Sequence, residues 1–284
     1  MAPMPSRLSR LLGRLVDPDV SRAVDAAPNR VNELGFDPWG FSPAFAKVGY
    51  SLGKRTLVPW FRPEVEGIEN VPEGRVLLVP NHAGQLPWDG VVVALTMVLH
   101  GTPPRLVRAM IERAFPTMPF ANEVLSRGGA VLGDPVNCRN LLEDEQAILV
   151  FPEGARGGGK PWAKRYQLER FGRGFMRLAL QTHTPIVPVA ILGSEESIPS
   201  LFDAKRLAKL LGLPYFPVPP HLPVAGPLAY APLPVKFHLR FGEPMRFEGR
   251  FDDEDAVIDE KVEAVRSVVQ RMIDDGLARR KGIF

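Results

Sequence analysis

The sequence predicts an α/β fold: a largely parallel central sheet covered by helices, with N-terminal surface helices and a long C-terminal helix. Three observations carry that expectation. Short, wholly apolar runs at Val76 to Val79, Ile148 to Phe151 and Ile186 to Leu192 look like strands buried on both faces. Helical stretches stand between such runs, the alternation that builds parallel sheets from βαβ units. Two of the runs end in a proline followed by polar residues, which suits a site at the carboxyl edge of the sheet.

The elements follow in order. Ser6 to Val16 reads as a short helix with Leu8, Leu11, Leu12, Leu15 and Val16 on one face and Arg7, Arg10 and Arg14 beside it, the pattern of a basic interfacial helix or of a helix packed on its own core. Asp17 to Pro43 is rich in turn formers and reads as irregular. Pro43 to Phe61 reads as a helix ending near Pro59, with Ala46, Gly49 and Gly53 on one side. Lys54 and Arg55 on it could meet lipid phosphates. We divide the chain into an N-terminal membrane-proximal helical segment, 1–62, and an α/β domain, 63–284.

Within that domain, Val76 to Val79 is a strand, and Asp89 is placed to cap a helix over Val91 to Leu99. Arg105 to Met110 is a strand, Thr117 to Ser126 a helix and Ala130 to Leu132 a strand. Asn137 is placed to cap a helix through Glu145 that leads into the Ile148 strand. A helix over Phe171 to Thr182 precedes the strand Ile186 to Leu192. The proline-dense stretch Gly212 to Pro234 reads as an extended surface segment, followed by a last strand over Lys236 to Phe241. Ile258, Val262, Val265, Val269 and Met272 form the apolar stripe of a final helix from about Asp255 to Leu277, with acids at its start and bases at its end.

Composition bounds the function. A 45% hydrophobic fraction is ample for a core, and a net charge of +3 suits an acidic partner without demanding one. The lone Cys138 rules out an internal disulfide framework and fits a reducing compartment. No apolar run approaches the roughly 20 residues that span a bilayer, and Arg7, Arg10 and Arg14 interrupt any secretory leader. The expectation is a chain in the cytoplasm, soluble or peripheral on the inner face of a membrane. Basic residues dispersed among acids exclude nucleic-acid binding, and five scattered histidines suggest no metal site.

The chemistry concentrates in two stretches. In Val76 to Gly90, Asn81 and His82 emerge from a strand and Asp89 stands at the next helix start, so a histidine and a carboxylate can meet across a short turn. On its own such a pair is more often turn chemistry than catalysis. The second stretch, Phe151-Pro152-Glu153-Gly154-Ala155-Arg156, repeats the layout at the end of another strand. Gly157-Gly158-Gly159-Lys160 has no nucleotide-binding spacing and reads as a flexible lip beside it.

These blocks, with Pro185 to Val189 as a third, resemble the glycerolipid acyltransferase superfamily over about Val65 to Pro244. Gly129-Ala130-Val131, Gly193-Ser194-Glu195-Glu196, Leu233-Pro234-Val235-Lys236 and Phe241-Gly242-Glu243-Pro244 fit its monoacylglycerol-acyltransferase-like branch. The resemblance implies transfer of an acyl group from acyl-CoA or acyl carrier protein to a hydroxyl of a lipid acceptor at a membrane surface, with no further cofactor. It implies His82 as general base and Asp89 as the group that orients it. It implies Asn81, Gly129, Glu153, Gly154 and Arg156 as substrate-binding, Arg156 offering planar donors to phosphate and Glu153 fixing Arg156 or meeting an acceptor hydroxyl.

Two departures stand out. Six residues separate His82 from Asp89 where the usual block has four, and Pro135 stands where many lysophosphatidate acyltransferases carry an arginine. The second leaves neutral and phosphorylated acceptors both open. A non-catalytic lipid binder and a thioesterase-like hydrolase are the other readings. Cys138 lacks a histidine near it in sequence and is a poor candidate nucleophile.

Overall fold

The computed structural model describes residues 13–82, 86–112, 121–213 and 215–284. In chain order the helices and strands are α1 (Pro18–Ala26), α2 (Pro43–Phe61), β1 (Glu64–Glu66), β2 (Val76–Pro80), α3 (Trp88–His100), β3 (Val107–Ile111), α4 (Ala121–Arg127), β4 (Val131–Leu132), α5 (Pro135–Glu143), β5 (Ala147–Leu149), α6 (Ala155–Gly158), α7 (Gly174–Thr182), β6 (Ile186–Leu192), α8 (Ser194–Ser197), β7 (Phe202–Asp203), α9 (Lys205–Leu211), β8 (Pro217–Val218), α10 (Leu222–Ala225), β9 (His238–Phe241) and α11 (Asp255–Arg279). Most of the Ser6 to Val16 candidate, the start of the Thr117 to Ser126 candidate and part of the turn after His82 lie outside the described residues.

Among the described residues seven strands form one sheet in the order β1-β9-β6-β2-β5-β3-β4. Every neighbouring pair is parallel except β6 with β9. All five residues of β2 and all seven of β6 are buried, so both strands are covered on both faces. Alternate side chains divide between the two sides. Leu77, Val79 and Ile148 pack with Leu141, Phe175 and Val265 of α5, α7 and α11. Val76, Leu78 and Leu149 pack with Phe61, Val93 and Met97 of α2 and α3. Truncating one of these side chains, Leu78 for example, would cost about 2–5 kcal/mol.

Local chemistry corrects several expectations. The Asp17 to Pro43 stretch is irregular only over 27–42: Asp17 accepts the N–H groups of Asp19 and Val20 and Pro18 sits at the first helical position, so its start is the capped helix α1. Val20 and Val24 bury against Phe41, Ala46 and Val98. Helix α2 runs through Pro59 to Phe61, and Gly53 lies against Leu95 while Gly49 is exposed. Phe61 ends in the main core. Asp134, not Asn137, caps α5 by accepting Val136 N–H at 2.9 Å, again with proline at the first helical position. The stretch from Gly212 is not simply extended, since it carries β8, α10 and a 3-10 turn over Gly226–Tyr230.

Candidate active site

The carboxyl ends of β2 and β5 lie side by side, because Leu77 pairs with Ile148 and Leu78 with Leu149. The chain leaving β2 delivers Asn81 and His82, and the chain leaving β5 delivers Phe151, Pro152 and Glu153. Asp89 is not the cap expected. It is the second residue of α3, whose cap position is Pro87, and its Oδ1 accepts the N–H of Gly90 at 2.7 Å. That placement turns its other oxygen toward the histidine.

His82 Nδ1 lies 2.8 Å from Asp89 Oδ2. Asp89 is fully buried, and the His82 side chain is 12% exposed. A carboxylate only accepts, so Nδ1 carries the proton and Nε2 presents a lone pair. The Phe151 ring packs on the imidazole at 4.3 Å between centroids. Burial works against a charged imidazole here, but Asp89, and Glu153 beyond it, outweigh that effect and raise the pKa of His82.

Glu153 does not reach Arg156. Its Oε1 accepts the backbone N–H of His82 and its Oε2 that of Glu169, both at 2.8 Å, and it is 1% exposed. Lys160 Nζ sits 3.2 Å from Glu153 Oε2 and 3.2 Å from Glu195 Oε1, and donates to the Gln167 carbonyl at 3.0 Å. The ammonium's three donors are thus matched, and the two carboxylates hold it charged against burial. Two carboxylates share this one cation, and burial pushes Glu195 up to about 7.

The glycine-rich stretch, expected as a flexible lip, enters a short helix and packs closely on its neighbours. Gly154 has φ 57 and ψ −149, a conformation open only to glycine, where it caps α6. A Cβ on Gly157 would stand 2.8 Å from Glu153 Cβ and 2.9 Å from both Cβ and O of His82. A Cβ on Gly158 would stand 2.6 Å from the Tyr215 ring. Helix α6 therefore packs backbone-first against the histidine.

The other sequence candidates have the following places and partners. Asn81 is fully buried, with Nδ2 donating to the Ile191 carbonyl at 3.0 Å and Oδ1 accepting the Ile191 N–H at 2.8 Å, so it binds β2 to β6. Gly129 has φ 102 and ends α4: its N–H bonds Ser126 O and that of Ala130 bonds Leu125 O, a Schellman pair. Arg156 is exposed on α6 and donates to the Arg170 carbonyl at 2.9 Å. Cys138 is buried against Met110 Sδ at 3.2 Å, and burial pushes its thiol up to about 11, so it is no nucleophile at neutral pH. Among the described residues no group of three or more His, Cys, Asp or Glu could hold a metal.

Sequence reasoning missed Lys160 and Glu195 as partners of the site. The signal was a lysine after three glycines and a paired glutamate after β6, but nothing local joins positions 35 residues apart.

A protein-family model described as Acyltransferase matches residues 62–192. An uncharacterized protein of Mycobacterium tuberculosis is 40% identical over 261 residues, covering 89% of this chain and 71% of that protein. The DGAT1/2-independent enzyme synthesizing storage lipids of Homo sapiens is 23% identical over 222 residues, 76% of this chain and 62% of its own length. Among solved structures, the 1-acyl-sn-glycerophosphate (LPA) acyltransferase PlsC from Thermotoga maritima superposes with a TM-score of 0.54 at 18% identity. That match covers 96% of this chain and 95% of the other, and it shows a shared fold.

Proposed function

This chain belongs to the glycerolipid acyltransferase superfamily, and from that premise we propose that it moves a fatty acyl group from acyl-CoA or acyl carrier protein to a hydroxyl of a glycerolipid or lysophospholipid. The observation that carries this reading is the 2.8 Å pairing of His82 Nδ1 with a fully buried Asp89, which leaves Nε2 for a substrate hydroxyl.

An alcohol attacks a thioester poorly at neutral pH, because its proton must leave as the new bond forms. His82 Nε2 takes that proton while the acceptor oxygen bonds to the thioester carbonyl carbon. Asp89 stabilises the imidazolium that results. The tetrahedral intermediate then expels the thiolate, the C–S bond breaks, and the imidazolium returns the proton to sulfur. No acyl-enzyme is required. Arg156, exposed and steadied by the Arg170 carbonyl, supplies a guanidinium for a phosphate of the donor or acceptor.

The acceptor is held in a membrane, and we place the protein at the membrane's inner, cytoplasmic surface. No helix among the described residues is long and apolar enough to cross a membrane. The test is incubation of purified protein with labelled acyl-CoA, or acyl carrier protein, and a panel of monoacylglycerol, diacylglycerol and lysophosphatidate. Labelled esters that disappear with His82→Ala support the reading. Free fatty acid formed at the same rate with and without acceptor would make the protein a hydrolase. Binding of labelled lipid without any product would make it a carrier.

A further inference from the structure

Helix α9, Lys205–Leu211, leaves two of its leucines to solvent beside its basic residues. Among its side chains whose burial is described, the small Ala208 is buried, while Leu207 is 39% and Leu210 81% exposed. Lys205, Arg206 and Lys209 are exposed as well. A helix serving only the core turns its leucines inward and its small residues out. Phe202, just ahead of it on β7, is 54% exposed. The one acid in this segment, Asp203, has its Oδ1 engaged by the Phe216 N–H at 2.8 Å.

The surroundings fix this excursion against the catalytic end of the sheet. Strand β7 pairs with β8, and Ala204 N–H bonds Phe216 O at 2.8 Å. Trp162 N–H bonds Ser200 O at 2.7 Å, tying the start of the excursion to the chain after α6. Tyr215 packs directly on Gly158, the neighbour of the glycine that touches His82. The apolar and basic surface is thus separated from His82 by one short helix. The following turns expose Val224 and Leu228 too.

We propose that the β7–α9–β8 excursion docks this protein on an anionic bilayer, with Phe202, Leu207 and Leu210 entering the boundary of headgroups and acyl chains and Lys205, Arg206 and Lys209 meeting lipid phosphates. Apolar side chains flanked by cations on one exposed helix are complementary to that interface, where buried apolar area and attraction to anionic lipid add. The choice of a bilayer as occupant rests on the acyltransferase reading, which places the substrate there. Docking by this surface brings the bilayer to the edge of the sheet that carries His82. The Pro43–Phe61 helix buries Ala46, Ser51, Gly53 and Phe61 and leaves Leu52 and Trp60 exposed.

The experiment is co-sedimentation of the full chain with vesicles of phosphatidylcholine alone and of phosphatidylcholine with phosphatidylglycerol, at low and high salt. Replacing Lys205, Arg206 and Lys209 together by glutamine should weaken binding to anionic vesicles on the order of a hundredfold at low salt, and far less at high salt. The Leu207→Ser, Leu210→Ser double variant should weaken it at least about tenfold at either salt. Both sets are exposed, and unchanged thermal melts verify the fold. Turnover of a short-chain, water-soluble acceptor should survive in both, so its absence in the parent protein would fail the functional reading and not the docking surface. Unchanged vesicle binding by both variants would overturn the proposal. So would binding lost only when residues before Asp17 are removed, or variants that alter self-association alone, which would assign the patch to a second copy of the chain.

Discussion

The Glu153 carboxylate accepts the backbone N–H of His82 at 2.8 Å, across 71 residues of sequence. The second motif therefore holds the first: the carboxylate after β5 positions the chain that carries the imidazole after β2. Asp89 aligns the ring, and Gly157 leaves room for nothing but hydrogen beside the Cβ and carbonyl of His82.

His82→Ala should lower acyl transfer by about 10²–10⁴-fold, the range of a general base, with little change in melting temperature. Single-turnover assays alongside thermal melts check both halves. A folded variant with near-parent turnover would end the proposed mechanism.

The pH–rate profile should show its acidic limb above 6.5, since His82 is raised from that value and only its neutral form accepts a proton. Asp89→Asn should move the limb downward as well as reduce turnover, because the charge that favours imidazolium is gone. Stability runs the other way. With a raised pKa, the protonated His82–Asp89 pair contributes fully below the unfolded value and is lost as pH rises through the folded one. Comparing melts and rates across the same pH series tests the two opposed trends.

Lys160→Met should destabilise the fold by about 3–5 kcal/mol, because it strands two buried carboxylates without their cation. Adding Glu195→Gln should recover part of the loss, a coupling measurable in a double-mutant cycle by urea unfolding. Glu195→Gln alone should flatten a slope. Burial raises Glu195 from 4.5 to about 7, so its contribution to stability is full below 4.5 and falls as pH rises through 7.

Gly157→Ala forces a methyl to within 3 Å of the His82 backbone and Cβ. We expect a loss of about 1–3 kcal/mol in stability and a lower kcat, with the KM for a soluble donor less affected. Gly174→Ala, where a Cβ meets nothing within 4 Å, is the control that should leave both unchanged.

The alternation of apolar runs with helical stretches sufficed for the sheet and its covering helices, because a strand buried on both faces must be apolar throughout. His82, Asp89 and Glu153 were legible as a site because each follows the end of a buried strand or opens the next helix, and both are readable from a few neighbouring residues. The cap of α1 was written in Asp17-Pro18, yet the turn formers around it hid a helix of nine residues. What only the tertiary structure decided was which partner each polar group takes. Glu153 meets His82, Glu169 and Lys160 rather than Arg156, Asn81 meets Ile191, and the three glycines pack against His82, Glu153 and Tyr215. These partners lie on segments far apart in sequence that the sheet brings together, and burial forces each buried polar group to pair with whatever the sheet order brings within reach. Sheet order is set by long-range packing, and no local run of residues encodes it.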